Sequence, residues 1–159
     1  MRYLIRRADV TDLAALVALF TRSVHELAAS YTPDQRHAWA PMEPDLSVWQ
    51  ARFDEMTTYV ADVGSRPVGF LSIQESDHIE LLYTHPDFAR QGVATELYRH
   101  AIAQLPDSAN LISTEASLEA RPFFERQGFE VVEEQCVIRH GQEFRRFRMI
   151  CNRRIFPTS

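Results

Sequence analysis

Apolar residues at Leu13, Leu16, Val17, Phe20, Val24 and Leu27 follow one another at steps of three and four, the spacing of a helix with one buried face. Thr11 stands where such a helix would open, and Tyr3–Arg7 before it reads as a short strand. The stretch Thr32-Pro33-Asp34-Gln35 predicts a second helix start, with Thr32 as cap, Pro33 at the first helical position and Gln35 closing a capping box. Pro41 and Pro44 keep that helix short. Asp45 caps a third segment carrying Val48, Trp49 and Phe53. From residue 57 the period changes to two: Thr57–Asp62 and Val68–Gln74 read as strands joined through "VGSRP", and "ESD" turns the chain into a further strand, His78–Thr84. Val93, Leu97, Ala101 and Leu105 share one helix face. Asn110–Thr114 is a fifth strand, Leu118–Gln127 a helix stopped by Gly128, and Phe129–Ile138 with Glu143–Cys151 a closing hairpin around "RHGQ". The order β-α-α-α-β-β-β-α-β-α-β-β predicts an α/β fold: a central, mostly antiparallel mixed sheet of about seven strands, with one βαβ crossover and helices on both faces.

The totals narrow the classes. A chain of 159 residues, 45% hydrophobic and 25% charged, fits one soluble domain spanning 1–159. A net charge of −5 argues against nucleic acid as a partner; Arg145, Arg146 and Arg148, set among aromatics, read as the solvated face of a strand. Cys136 and Cys151 form no paired motif and are expected to be reduced and buried. Arginines interrupt the N-terminus before an apolar run develops, and the longest run, Leu13–Phe20, is too short for a bilayer. A cytoplasmic protein without membrane contact is therefore expected, and a homodimer is left open.

Chemistry concentrates where the strand His78–Thr84 runs through "HPDFARQGVATEL" into a helix. The first N–H groups of a helix have no internal acceptors and its dipole adds positive charge there, so this is an anion site in outline. Gly92 would let a phosphate approach the main chain without meeting a Cβ. Ala94 stays small, Thr95 adds a hydroxyl and Arg90 a charge. Neither the three glycines of a dinucleotide fingerprint nor a P-loop lysine is present.

"LLYTHPDFARQGVATELYRHAI", preceded by three strands and followed by "EARPFFERQGFE", resembles the GNAT superfamily of N-acetyltransferases. The resemblance implies that acetyl-coenzyme A is the cosubstrate, without a metal. It implies that Arg90, Gln91, Gly92, Val93, Ala94 and Thr95 cradle the pyrophosphate, and that the backbone of Leu82, Tyr83 and Thr84 pairs with the pantetheine arm. Ser117 falls where many members have an asparagine and Phe124 where many have a tyrosine. Three departures stand out: Ala89 replaces the motif's first polar residue, Ser117 is short, and Phe124 has no hydroxyl to protonate the leaving thiolate.

Acetyl transfer needs a neutral amine, and an alkylammonium with a pKa near 10.4 is neutral only about once in 2,500 molecules at pH 7. A base is expected on His78–Thr84. Strict alternation puts His78, Glu80 and Leu82 on one face and Ile79, Leu81 and Tyr83 on the other. Glu80, which would need burial to raise its pKa, is the preferred base, with His78 as partner and Glu115 third. Tyr31 and Trp39, with Trp49, lie in the segment that walls the acceptor pocket in the family, which suits a small, flat or apolar amine. A protein N-terminus or lysine as acceptor stays open, as does a catalytically silent acyl-CoA-binding module.

Overall fold

The computed structural model describes residues 3–153. Seven strands form one sheet in the order β1-β2-β3-β4-β5-β7-β6: β1 (Leu4–Arg7), β2 (Met56–Val63), β3 (Arg66–Gln74), β4 (His78–Thr84), β5 (Leu111–Ala116), β6 (Glu130–Arg139) and β7 (Gln142–Asn152). Every neighbouring pair is antiparallel except β4–β5. The crossover between those two is α4 (Val93–Ala103), because parallel neighbours cannot be joined by a hairpin. The remaining helices are α1 (Leu13–Leu27), α2 (Pro33–Trp39), α3 (Leu46–Asp54) and α5 (Arg121–Arg126). The predicted order of elements and the mixed sheet are both observed.

Local signals account for most of the element ends. Thr32 and Gln35 form the reciprocal capping box, and Asp45 accepts hydrogen bonds from the N–H groups of Ser47 and Val48. Gly128 takes φ +98°, with the Phe129 N–H donating to the Phe124 carbonyl at 3.0 Å, which closes α5 as expected of a C′ glycine. Two starts differ from expectation. Asp9, not Thr11, caps the chain ahead of α1, through a 3-10 turn at Val10–Asp12. Residues 118–120 form a turn, so α5 begins only at Arg121, with Pro122 in its first turn.

Two cores lie on opposite faces of the sheet. Leu16, Val17, Phe20 and Val24 of α1 pack with Trp49, Phe70 and Leu81 on one face. Val93, Leu97, Tyr98 and Ile102 of α4 pack with Leu71, Ile79, Ile112 and Met149 on the other. Cys151 is buried in the second core, whereas Cys136, on the sheet's edge strand β6, is exposed, against expectation. Both thiols are free. Among the described residues no helix is long and apolar enough to cross a membrane.

Gly69, in the middle of β3, sets how closely α4 approaches the sheet. A Cβ there would lie 2.5 Å from Val93 Cγ1 and 3.2 Å from the Tyr83 carbonyl oxygen. Gly69→Ala is expected to destabilise the fold by about 1–3 kcal/mol through this overpacking, read as a lower urea midpoint at unchanged m-value.

Candidate active site

The site begins where β4 and β5 part. They pair only at His78↔Ser113 and Ile79↔Thr114. The Thr114 hydroxyl donates to the Ile79 carbonyl at 2.9 Å. Beyond that point the strands diverge, leaving a cleft of about 510 Å³ with Glu80–Tyr83 on one lip and Glu115–Ser117 on the other. Backbone groups on the opened side of β4 have no strand opposite them, so an extended chain could pair there.

A β-bulge shapes the inner end of the cleft. Ser72 pairs with Leu81, but Ile73 pairs with Ile79, so Glu80 is an extra residue with no partner in β3. The bulge overturns the expected alternation. Ile79 and Leu82 face the α4 core, while Leu81 and Tyr83 face the α1 core. Residues two apart across the bulge therefore point to opposite faces, and Glu80 projects into the cleft rather than into either core.

Around Glu80 stands a small charged cluster. His78 Nε2 lies 3.3 Å from Glu80 Oε2 and 3.6 Å from Glu115 Oε2, and His78 Nδ1 is 2.8 Å from the Ser113 hydroxyl. The hydrogen bond to Glu80, together with the charge of Glu115, raises the His78 pKa above 6.5 despite burial. The same bond to His78 lowers the Glu80 pKa, assisted by the charges of Arg52 and Arg139. This corrects the expectation of a burial-raised Glu80: its neighbours outweigh its desolvation, so it stays ionised.

The cradle lies at the outer end of β4. Positive φ at Arg90 (60°) and Gly92 (84°) curls the chain so that successive N–H groups turn towards one side. The first intrahelical bond of α4 runs from the Glu96 N–H to the Gly92 carbonyl at 3.0 Å. The N–H groups of Val93, Ala94 and Thr95 are thus without intrahelical acceptors. A Cβ placed on Gly92 would meet nothing within 4 Å, so the space above the glycine is open. Tyr3 pins the turn by donating to the Gln91 carbonyl at 2.6 Å, and the Gln91 amide closes back on the Asp87 carbonyl at 3.2 Å. Arg90 is exposed. Ahead of the turn, buried His85 accepts the Asp87 N–H and lies 3.0 Å from the guanidinium groups of both Arg22 and Arg66. Burial, then Arg66 and Arg22, lowers its pKa.

The remaining expected residues line the cleft, with differing freedom. Tyr31 is buried; its hydroxyl donates to the Arg145 carbonyl at 2.8 Å and accepts the Leu118 N–H at 3.1 Å, which ties together the α1–α2 loop, β7 and the α5 approach. Its ring meets those of Trp39 and Phe144. Trp39 also faces Tyr83, whose buried phenol has its pKa pushed up to about 12. Ser117 accepts the Ala120 N–H at 3.1 Å, which leaves its own proton free to donate. Phe124 is buried edge-on to Phe123 and Phe129. Arg52 and Arg139, which also line the cleft, escaped the sequence reading. The only local signal for Arg52 was its place three residues after Trp49, over whose ring it lies at 4.5 Å.

A family model described as an acetyltransferase (GNAT) domain matches residues 27–151. The chain belongs to the GNAT acetyltransferase family. It is 36% identical over 146 residues to Uncharacterized N-acetyltransferase YafP of Escherichia coli (strain K12), covering 91% of this chain and 93% of that one. It is 27% identical over 131 residues to Peptidyl-lysine N-acetyltransferase YjaB of Salmonella typhimurium, covering 80% and 83%. The crystal structure of the GCN5-related N-acetyltransferase (Aminotransferase, Class-II) from Rhodopseudomonas palustris superposes with a TM-score of 0.87 at 29% identity, covering 96% of each chain. The GNAT chain is accordingly an acyltransferase with the fold of its relatives.

The ion pair in its cleft makes a pH-dependent prediction. Glu80, with its lowered pKa, contributes stability above its ordinary value of 4.5, which is lost as pH falls. His78, with its raised pKa, contributes stability below 6.5, which is lost as pH rises through its folded value. The stability difference between wild type and Glu80→Gln should therefore be largest between about pH 4.5 and 6.5 and shrink on either side. An NMR titration should show the His78 imidazole moving to lower pKa in Glu80→Gln; an unmoved midpoint would refute the pairing.

Proposed function

We propose that this protein transfers an acetyl group from acetyl-coenzyme A to the amine of a small molecule, with the His78–Glu80 pair removing the amine's proton. The observation that carries this reading is the titratable cluster at the inner end of the cleft, with His78 and Glu80 3.3 Å apart, beside the open side of β4. Acetyl-coenzyme A supplies a thioester whose carbonyl carbon accepts the amine. The open space over Gly92 and the free N–H groups of the α4 start fit its pyrophosphate, and Arg90 adds charge. The backbone of Leu82, Tyr83 and Thr84 would align the pantetheine arm, and an N–H there would polarise the thioester carbonyl.

Glu80 and Glu115, both carboxylates at the cleft, draw in the ammonium. The proton then passes to the imidazole of His78, where it sits between two carboxylates. Its raised pKa brings that acceptor closer to the amine's than a free histidine would be. As the new C–N bond forms, the C–S bond breaks and the departing thiolate takes a proton from water, since Phe124 offers none. The aromatic wall of Trp39, Tyr83 and Phe144 suits a compact acceptor. A lysine side chain is the second reading, favoured by the likeness to a peptidyl-lysine acetyltransferase.

Saturating acetyl-coenzyme A at about a hundred times its Kd should add about 2.7 kcal/mol, or about 5–11 °C in Tm for a domain of this size. Folded Gly92→Glu should show no such shift. His78→Gln/Glu80→Gln should keep the shift but lose about 10²–10⁴ in kcat. An unshifted wild type would remove the cradle assignment, and an unchanged turnover in the double variant would remove the base. Lysine peptides turned over faster than every small amine would select the second reading.

A further inference from the structure

Two arginines share the cleft with the proposed base, and that reading gives them no task. Arg52 of α3 points its guanidinium at the carboxylate oxygen of Glu80 that does not face His78, and stops 3.9 Å short. At that separation the opposite charges attract without hydrogen bonding. The Trp49 ring beneath Arg52, 4.5 Å away, holds it there. Arg139, at the end of β6, lines the cleft as well. Its side chain makes no hydrogen bond or ion pair among the described residues, yet its charge is felt at both Glu80 and the Tyr83 hydroxyl. By contrast, Arg145 and Arg146 are engaged by Glu134 and Gln135 of the neighbouring strand. The inner cleft therefore presents carboxylates, Glu80 and Glu115, directly beside two guanidinium groups with donors to spare, and next to both a wall of Trp39, Tyr83 and Phe144.

A polyamine is poorly matched to such a cleft, because its second cation would meet Arg52 or Arg139. A plain monoamine would leave the spare donors of both guanidiniums without an acceptor. A zwitterion satisfies both signs at once. In an α-amino acid the nitrogen and the carboxylate are separated by one carbon, so one molecule can reach both sides of a Glu–Arg pair held a few ångströms apart. Its side chain then leaves in a third direction, where the aromatic wall stands. We propose that the acceptor is a free α-amino acid with an apolar or aromatic side chain, its amine held by Glu80 and its carboxylate by Arg52 and Arg139. The inference rests on the acetyltransferase reading above and narrows its acceptor.

The test uses the full chain, acetyl-coenzyme A, and release of free coenzyme A thiol as the readout. The acceptors are L-phenylalanine, L-phenylalaninamide, phenethylamine and spermidine. The amide keeps the ring and the amine and is the weaker base, so it would win if a neutral amine were all that mattered. L-phenylalanine should exceed both uncharged-tail analogues by about tenfold or more in kcat/KM, the discrimination expected of charge-assisted hydrogen bonds. Arg139→Gln should lower kcat/KM for phenylalanine about tenfold more than for phenethylamine, with the excess chiefly in KM. Phenethylamine, the amide or spermidine as the preferred acceptor, or an equal loss for all acceptors in Arg139→Gln, would overturn the zwitterion assignment while the transferase reading stands. If acetyl-coenzyme A raises Tm and yet none of the four is acetylated, both the assignment and the small-amine reading fall.

Discussion

The structure depends on how briefly β4 and β5 run together. Two parallel residue pairs, closed by the Thr114 hydroxyl on the Ile79 carbonyl, are enough to keep seven strands in one sheet. They are too few to zip the strands to their ends, and the gap that follows becomes the cleft. The same parallel pairing demands a crossover, and the crossover is α4. A helix that leaves the carboxyl end of β4 must begin beside the mouth of the gap. The unpaired backbone of one strand and the unpaired N–H groups of one helix are thus joined by the short segment 85–92. Gly69 belongs to this arrangement, since only a residue without Cβ lets Val93 bring the helix start down against β3.

The bulge at Glu80 meets a second demand. A central strand with helices on both faces has no solvent side on which to carry charge, and a glutamate in regular register would enter one core or the other. With one residue extra, Ile79 and Leu81 each fill a core, on opposite faces, and Glu80 falls between the two registers. A carboxylate reaches the cleft without burial in hydrocarbon. His78 then faces both this carboxylate and that of Glu115, and Ser113 fixes the other side of the imidazole.

Features that act over three or four residues were legible in the sequence. The capping box at Thr32, the Asp45 cap, the Gly128 stop and the glycine-led turn into α4 each depend on neighbours within one turn of chain, and each is found. The period-two reading of β4 gave the strand but not its faces, because an inserted residue leaves no mark in the order of apolar positions; it appears only when β3 is laid alongside. The direction of the Glu80 pKa was misjudged for a related reason. Burial was visible as a tendency, whereas the outcome turns on His78 within hydrogen-bond reach and on guanidinium charges from α3 and β6. Tyr31 lies in the segment expected to wall the pocket, but its hydroxyl is committed to partners 114 and 87 residues away. Local chemistry nominated the right segment, and long-range contacts decided what each side chain is free to do.

The absence of a hydroxyl at Phe124 bears on which half of the proton traffic needs help. Drawing a proton from an alkylammonium at pH 7 works against about 3.4 pH units, whereas a leaving thiol with a pKa near 8.5 is displaced from neutrality by only about 1.5. Assistance is worth more on the amine side, which in the proposed mechanism is where the cleft's titratable groups stand. On the thiolate side it offers a buried aromatic cluster and one serine hydroxyl. Phe124 then acts as a wall, packed against Phe123 and Phe129 at the root of α5, that keeps the cleft's shape. In the proposed mechanism an acid could be spared at that end, where the departing sulfur meets water, more easily than a base at the other. That mechanism sets His78, Glu80 and Glu115 on the side of the steeper of the two proton gradients.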